Sequence, residues 1–230
     1  MQRSQDEKAT AEGYDRWADS YDDTDPSTWL DEPFLFEHLK PFPGCRILDV
    51  GCGTGRYLRR LPESAYRIIG ADLSCKMLGK ARQLIGGRTD ICLVQASVSR
   101  LPFRASSFDR IMSGLVIDHV ASIEQLFREL CTVLAPDGHA VVAAVHPDMQ
   151  RLTGSDIEIP TVDQKTIHIP GHVHEVEHLL TAAREAGMTV IAMDEPRVTP
   201  LMLKHRPDWT KKVGHCALVL LALRTSGRPK

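Results

Sequence analysis

A short apolar run, Arg46 to Val50 (RILDV), leads straight into Gly51–Cys52–Gly53–Thr54–Gly55. A run of this length bounded by turn residues reads as a buried strand. Three glycines at its end let the backbone approach a ligand without a Cβ in the way. Such a junction belongs at the carboxyl edge of a parallel sheet. The spacing is GxGxG, whereas a dinucleotide fingerprint would be GxGxxG. A phosphate-binding P-loop would need Gly-Lys-Ser/Thr where Thr54–Gly55–Arg56 stands. A tight turn that needs glycine for its geometry alone is the plain alternative, but a turn of that kind has no use for the acidic Asp49 just before it.

The rest of the chain alternates in the same way. Strands are expected at Tyr66 to Ala71, Asp90 to Gln95, Phe108 to Ser113, His139 to Val145, Thr189 to Met193 and Cys216 to Leu223. Helices are expected at Leu30 to Leu39, Arg56 to Leu61, Ser74 to Ile85 with Ser74 as N-cap, Ile123 to Leu134 before Pro136–Asp137–Gly138, and Glu175 to Ala186 before Gly187. Strands alternating with helices imply crossover connections and a doubly wound α/β sheet. Between His146–Pro147 and about His174 the pattern weakens, and so long a connection reads as a functional insertion or lid. Asp72 closes the second strand, seventeen positions beyond Gly55. A carboxylate there can accept hydrogen bonds from both hydroxyls of a ribose, or serve as a plain loop carboxylate.

The chain has 230 residues, enough for one domain of ordinary size. Its 28 basic and 30 acidic residues give a net charge of −2, which counts against a dedicated nucleic-acid binder. Six cysteines, Cys45, Cys52, Cys75, Cys92, Cys131 and Cys216, are scattered without CxxC or Cys/His ligand spacing. That argues against a disulfide framework or structural zinc and for a reducing compartment. Met1 to Ala11 is polar and carries no apolar signal segment. The longest apolar run, Cys216 to Leu223, is too short to span a bilayer. A cytoplasmic protein is the expectation.

Taken together, these motifs resemble the class I S-adenosylmethionine-dependent methyltransferases. The resemblance rests on Asp49–Val50–Gly51–Cys52–Gly53–Thr54–Gly55, then Gly70–Ala71–Asp72–Leu73–Ser74 with Met77–Leu78, then Leu101–Pro102–Phe103 ahead of Ser107–Phe108–Asp109. Leu115 to His119, Leu134–Ala135–Pro136–Asp137–Gly138 and the N-terminal Tyr14-Asp15-x-x-Ala18-x-x-Tyr21-Asp22 continue it. Each is modest alone; their order and spacing are specific, from Tyr14 to about Val145. Two departures stand out. Ser97, followed by Val98, occupies the place of a family Asp that reaches the adenine amino group, and Asp137–Gly138 replaces a double glycine.

The resemblance implies a seven-stranded Rossmann-like sheet of order 3-2-1-4-5-7-6, its last strand antiparallel, under a helical N-terminal cap. One domain over 1–230 is expected: cap 1–43, cofactor-binding core 44–146, lid 147–173 and the rest of the sheet 174–230. It also implies S-adenosylmethionine as cofactor, with S-adenosylhomocysteine as product. Gly51, Cys52, Gly53 and Gly55 surround the methionyl part, with Asp49 near its ammonium. Asp72 takes the ribose, Leu73 and Met77 lie beside adenine, and Ser97 and Val98 meet its edge. Ser113 and Gly114 form the floor near the sulfonium, and Tyr14 and Tyr21 cover the cofactor from the cap. His119, just past the fourth strand, is the candidate general base, since an imidazole titrates near neutrality; a helix-start or core histidine is the alternative. Asp118, His146 and Trp17 are candidate substrate contacts, with a helix N-cap for Asp118, a capping or structural role for His146 and a core position for Trp17 as the alternatives. No metal site is expected, and His168, His172 and His174 read as lid or surface residues.

The implied partner is a small-molecule methyl acceptor of a monomer or homodimer, with an oxygen, nitrogen or carbon nucleophile. A tRNA-modifying methyltransferase and a non-catalytic cofactor-binding protein of the same fold are the rivals. GxGxG spacing and the lack of a Tyr-x-x-x-Lys pair argue against a nicotinamide oxidoreductase.

Overall fold

The computed structural model describes residues 4–24, 30–63, 66–160, 166–204 and 206–225. The central sheet has seven strands: β1 (Arg46–Val50), β2 (Arg67–Asp72), β3 (Ile91–Gln95), β4 (Phe108–Gly114), β5 (Leu134–Val145), β8 (Met188–Asp194) and β9 (Leu218–Thr225). Their order is β3-β2-β1-β4-β5-β9-β8. The first five run parallel, and β9 is antiparallel to both β5 and β8. Counted within this sheet alone, the order is the 3-2-1-4-5-7-6 expected from the sequence. β9 lies between two strands and is buried along six successive residues, which is why it reads as an unbroken apolar run.

Helices cover both faces of this sheet. On one, α5 (Ile123–Val133) presents Ile123, Leu126, Phe127, Leu130 and Val133, a stripe at helical spacing. It packs with α7 (Val176–Glu185) against Leu48, Val50, Ile111 and Val142. On the other face, α3 (Glu32–Leu39) and α4 (Cys75–Ile85) meet Ile47, Ile68, Met112 and Val141. Successive strand residues therefore feed opposite cores. Ser74 caps α4, its hydroxyl accepting from the Met77 N–H at 3.0 Å.

Three local expectations are corrected. The helix expected over Arg56 to Leu61 is a run of turns with a single 3-10 turn at Leu58–Arg60, because Arg56 and Tyr57 turn aside to a buried Asp31. The proline-containing turn after α5 does not separate helix from strand: β5 starts at Leu134, directly after Val133. Residues 135–138 bulge out of its ladder with β4, with Asp137 at φ 60°. The 147–173 connection is also more ordered than a loop. It holds α6 (Pro147–Thr153) and a hairpin of β6 (Ile157–Pro160) and β7 (Thr166–Ile169), whose tip, 161–165, lies outside the described residues.

That hairpin supports the N-terminal cap, which is made of α1 (Gln5–Trp17) and the short α2 (Tyr21–Thr24). Trp17 is buried among Ile159, Ile167 and Ile169. Gly13 lies so close to β7 that a Cβ there would stand 2.5 Å from Ile169 Cγ1. Ser4 and Glu7 form a capping box at the start of α1. No helix among the described residues is long and apolar enough to cross a membrane.

Candidate active site

Sheet order reverses between β1 and β4, so the loops leaving these strands diverge and open a crevice at the carboxyl edge. A cavity of about 500 Å3 lies there, within the range of small-molecule sites. Its floor is Gly51, Gly53, Asp72 and Gly114; its flanks are Leu73, Met77, Ser97 and Val98 toward β3, and Leu115, Val116 and His119 beyond β4. Glu7, Thr10, Ala11 and Tyr14 of α1, joined by Tyr21, form the roof.

Gly51 adopts φ 72° and Gly53 φ 53°, left-handed conformations that glycine adopts without strain. A Cβ on Gly51 would stand 2.1 Å from Val116 Cγ2, so the turn and the wall opposite can touch only with glycine there. The turn is locked to Asp72: the Gly53 N–H donates to one carboxylate oxygen at 2.8 Å and the Ser74 N–H to the other at 2.8 Å. Burial raises the Asp72 pKa, and these donors partly offset it. Beneath the turn, Asp49 is fully buried and neither carboxylate oxygen has a hydrogen-bond partner. Burial pushes its pKa well up, with Arg56 opposing.

The cap is tied to the loop after each of the first four strands. Asp22 accepts from Thr54 Oγ1 at 2.7 Å after β1. Asp15 accepts from Ser74 Oγ at 2.5 Å and from the Lys76 N–H at 2.9 Å after β2. Glu7 accepts from Ser97 Oγ after β3. Tyr14 meets His119 after β4, with 2.8 Å between Oη and Nε2. The other ring nitrogen, Nδ1, is 3.0 Å from the Pro170 carbonyl oxygen. That oxygen can only accept, so Nδ1 carries the hydrogen and Nε2 accepts from Tyr14 in the neutral ring. Burial lowers the His119 pKa and favours this neutral form.

Of the residues singled out in the sequence, Gly51, Gly53, Asp72, Leu73, Met77, Ser97, Val98, Gly114, Tyr14, Tyr21 and His119 line this one cavity. The others lie off its wall. Gly55 packs toward Ala81 and Ile85 of α4. Cys52 is buried in the core under α3 and α4, Ser113 is fully buried inside β4, and Asp49 sits below the turn. Asp118 points away from the cavity: its carboxylate accepts from the Val145 N–H and the Gln150 amide. Burial raises its pKa to about 7. Trp17 faces the hairpin.

His146 is the N-cap of α6, its Nδ1 accepting from the Asp148 N–H at 3.1 Å while Nε2 faces Glu195 at 2.9 Å. It joins Asp148 and Cys216 in a group whose ligand-type atoms lie within 4.8 Å of one another. Both of its ring nitrogens are already engaged.

Residues 48–142 match the family profile described as "Methyltransferase domain". This domain belongs to the class I S-adenosylmethionine-dependent methyltransferases. The methyltransferase domain is 34% identical, over 111 residues, to the malonyl-[acyl-carrier protein] O-methyltransferase of Erwinia pyrifoliae, a match covering 48% of this chain and 41% of that protein. The chain spans about two fifths of the length of the first curated relatives it matches. Its fold superposes on the crystal structure of an S-adenosylmethionine dependent methyltransferase from Mesorhizobium loti with a TM-score of 0.68 and 25% identity, covering 84% of this chain and 96% of that one. A methyltransferase from a Haloferax volcanii complex with the Trm112 activator gives a TM-score of 0.77 at 18% identity, over 96% of this chain and 99% of that one; this last likeness concerns the fold alone.

The cavity suits the cofactor of that class. Asp72 faces the cavity, and each of its oxygens has acceptor capacity beyond its one backbone donor. Apolar Leu73, Met77 and Val98 make a slot for a flat base.

Proposed function

We propose that the methyltransferase domain binds S-adenosylmethionine in this cavity and transfers its methyl group to a nitrogen, oxygen or carbon atom of a small metabolite. One observation carries the reading: the glycine turn, Asp72 and the Tyr14–His119 pair all face one cavity at the β1/β4 switch point. When bound, S-adenosylmethionine supplies a methyl group on a positively charged sulfur, open to in-line displacement. Gly51 and Gly53 would hold the methionyl part, Asp72 the ribose, and Leu73, Met77 and Val98 the base.

The chain's own residues do the rest. The roof of α1 excludes water and holds the acceptor near the reacting methyl, where positioning is worth several orders of magnitude in rate. As an acceptor N–H or O–H loses its proton to Tyr14 Oη, the phenol proton moves to His119 Nε2, and the Pro170 carbonyl steadies the resulting imidazolium. The bound cofactor would supply the methyl group and its positive charge, and Tyr14 and His119 would take up the proton that the acceptor releases. His119 thus acts through Tyr14, because both of its ring nitrogens are engaged.

Titration calorimetry with S-adenosylhomocysteine, followed by metabolite extracts incubated with methyl-labelled S-adenosylmethionine, tests the reading. Binding and label in a low-mass product are expected; absence of binding overturns it. Identity to the malonyl-[acyl-carrier protein] O-methyltransferase favours a second acceptor class, a carboxylate presented on a carrier protein. Such a nucleophile arrives deprotonated and leaves His119 no proton to take. Label in the protein fraction, with an unchanged rate for His119→Ala, would select it.

A further inference from the structure

We propose that His146, Asp148 and Cys216 form a binding site for a divalent ion of the zinc class, at the root of the 147–173 connection and apart from the cofactor cavity. None of the three lines that cavity. His146 follows β5, Asp148 stands in the first turn of α6, and Cys216 precedes β9. The antiparallel pairing of β5 with β9 brings them together: Val145 stands opposite Leu218, and the His146 N–H donates to the Ala217 carbonyl at 2.9 Å. One ligand atom from each residue lies within 4.8 Å of the others. Cys216 is far along the chain from His146, so no ligand spacing shows in the sequence.

The imidazole tautomer is fixed from both sides. Glu195 Oε1, an acceptor, is 2.9 Å from Nε2, and the Asp148 N–H, a donor, is 3.1 Å from Nδ1. Nε2 therefore carries the hydrogen, and Nδ1 presents its lone pair toward Asp148. A carboxylate behind the imidazole is the usual support of a metal-bound histidine, orienting the ring and raising its basicity. Asp148 Oδ2 is 3.6 Å from Nδ1, close to the roughly 3.3–3.6 Å that separates two donors on one tetrahedral zinc. Arg151 holds the other oxygen, Oδ1, at 2.9 Å and leaves Oδ2 toward His146. Cys216 is a buried free thiol.

Thiolate and imidazole together select zinc over magnesium or calcium, which take oxygen ligands. On binding, the Cys216 thiol gives up its proton to solvent. Thiolate and carboxylate then balance the two charges of the ion. Its fourth position falls to water, because the Asp148 side chain is 49% exposed and opens the site on that side. The ion takes the Nδ1 lone pair from the Asp148 N–H, which lies at a helix start, where such groups can turn to water. So placed, it pins the start of α6 to the start of β9.

Cobalt(II) reports such a site, since a thiolate bound to cobalt gives an intense near-ultraviolet charge-transfer band. The parent protein for the test carries Cys75→Ser and Cys92→Ser, because both cysteines are exposed. Metal-free parent titrated with cobalt should show that band, saturating at one equivalent, and zinc should abolish it by displacement. Cys216→Ser should remove the band. Glu195→Gln should keep it and weaken cobalt by about 10–100-fold, as loss of a supporting residue does. Asp148→Asn, at a half-exposed side chain that the core does not need, should weaken cobalt further still. No band in the parent, a band that survives Cys216→Ser, or an affinity unchanged in Asp148→Asn overturns the inference.

Discussion

Asp72, half-buried at the end of β2, and Asp118, buried in the turn after β4, have opposite uses. Asp72 faces the cavity and fastens the glycine turn. Asp72→Ala should weaken S-adenosylhomocysteine binding by roughly 1.5–3 kcal/mol, the range for hydrogen bonds to a charged group; unchanged calorimetric affinity would remove Asp72 from the site. Asp118 serves the scaffold. Burial holds its pKa near 7 in the folded chain, above the usual carboxylate value of about 3.9. Between those pH values the folded state binds the extra proton, so the stability this contributes is full below about pH 4 and gone above about pH 7. Asp118→Asn should therefore raise Tm at pH 8, by about 2–4 °C for each kcal/mol gained in a chain of this size. The advantage should vanish near pH 4, and thermal scans at the two pH values check it. For His119 the sign reverses in activity: the neutral ring accepts the proton, and its pKa is lowered. The rate should rise with pH along a limb lying below about 6.5, and His119→Ala should lose that limb along with about 10²–10⁴-fold in rate.

At the scale of elements, the strands and the glycine turn were legible because each writes its burial into a few adjacent residues. RILDV ahead of the glycines, the Ser74 cap and the α5 stripe all state their structure locally. The roof was less legible. Tyr14 and Tyr21 could be singled out, but Glu7 could not, since its partner Ser97 stands ninety residues away. A signal was present: Ser4–Gln5–Asp6–Glu7 is a capping-box sequence. The hairpin under α1 was missed because β6 and β7 are four residues each, too short for alternation to stand out from a loop. Gly13 is where the two elements meet. Gly13→Val should loosen the cap, since the new side chain must displace Ile169 and overpacking typically costs about 1–3 kcal/mol. Faster amide exchange over residues 4–24, with the sheet core unchanged, is the expected result; uniform protection would show that α1 is held elsewhere.

Across the whole molecule, a rigid sheet supplies the floor and a separate N-terminal helix supplies the roof. Of the cofactor-side residues read from the sequence, Gly51, Gly53, Asp72, Leu73, Met77, Ser97, Val98 and Gly114 line that floor and its flanks and Tyr14 and Tyr21 the roof, while Asp49, Cys52, Gly55 and Ser113 lie off the wall. At Trp17, Asp118 and His146, whose side chains turn away from the cavity, the sequence could not say which way a side chain points. Asp118 and His146 do hold the edge together, through the Val145 N–H and the start of α6. Because floor and roof both border the cavity, a ligand that touches both should stabilise the roof most. S-adenosylhomocysteine should slow amide exchange in 4–24 more than in β4 or β5, as mass spectrometry of exchanged peptides can read.

The ties from α1 and α2 to four successive loops also set a clock. A molecule leaving the cavity has to wait for the contacts at Thr54, Ser74, Ser97 and His119 to part within the same opening event, so its residence time is governed by that local opening rather than by the strength of any one contact. Weakening a single tie, as Asp22→Asn or Asp15→Asn would, shortens the wait without touching the reacting groups. If departure of the spent cofactor limits turnover, such a variant cycles faster than the wild type while binding its cofactor less tightly, and stopped-flow release of S-adenosylhomocysteine measured against steady-state turnover separates the two effects.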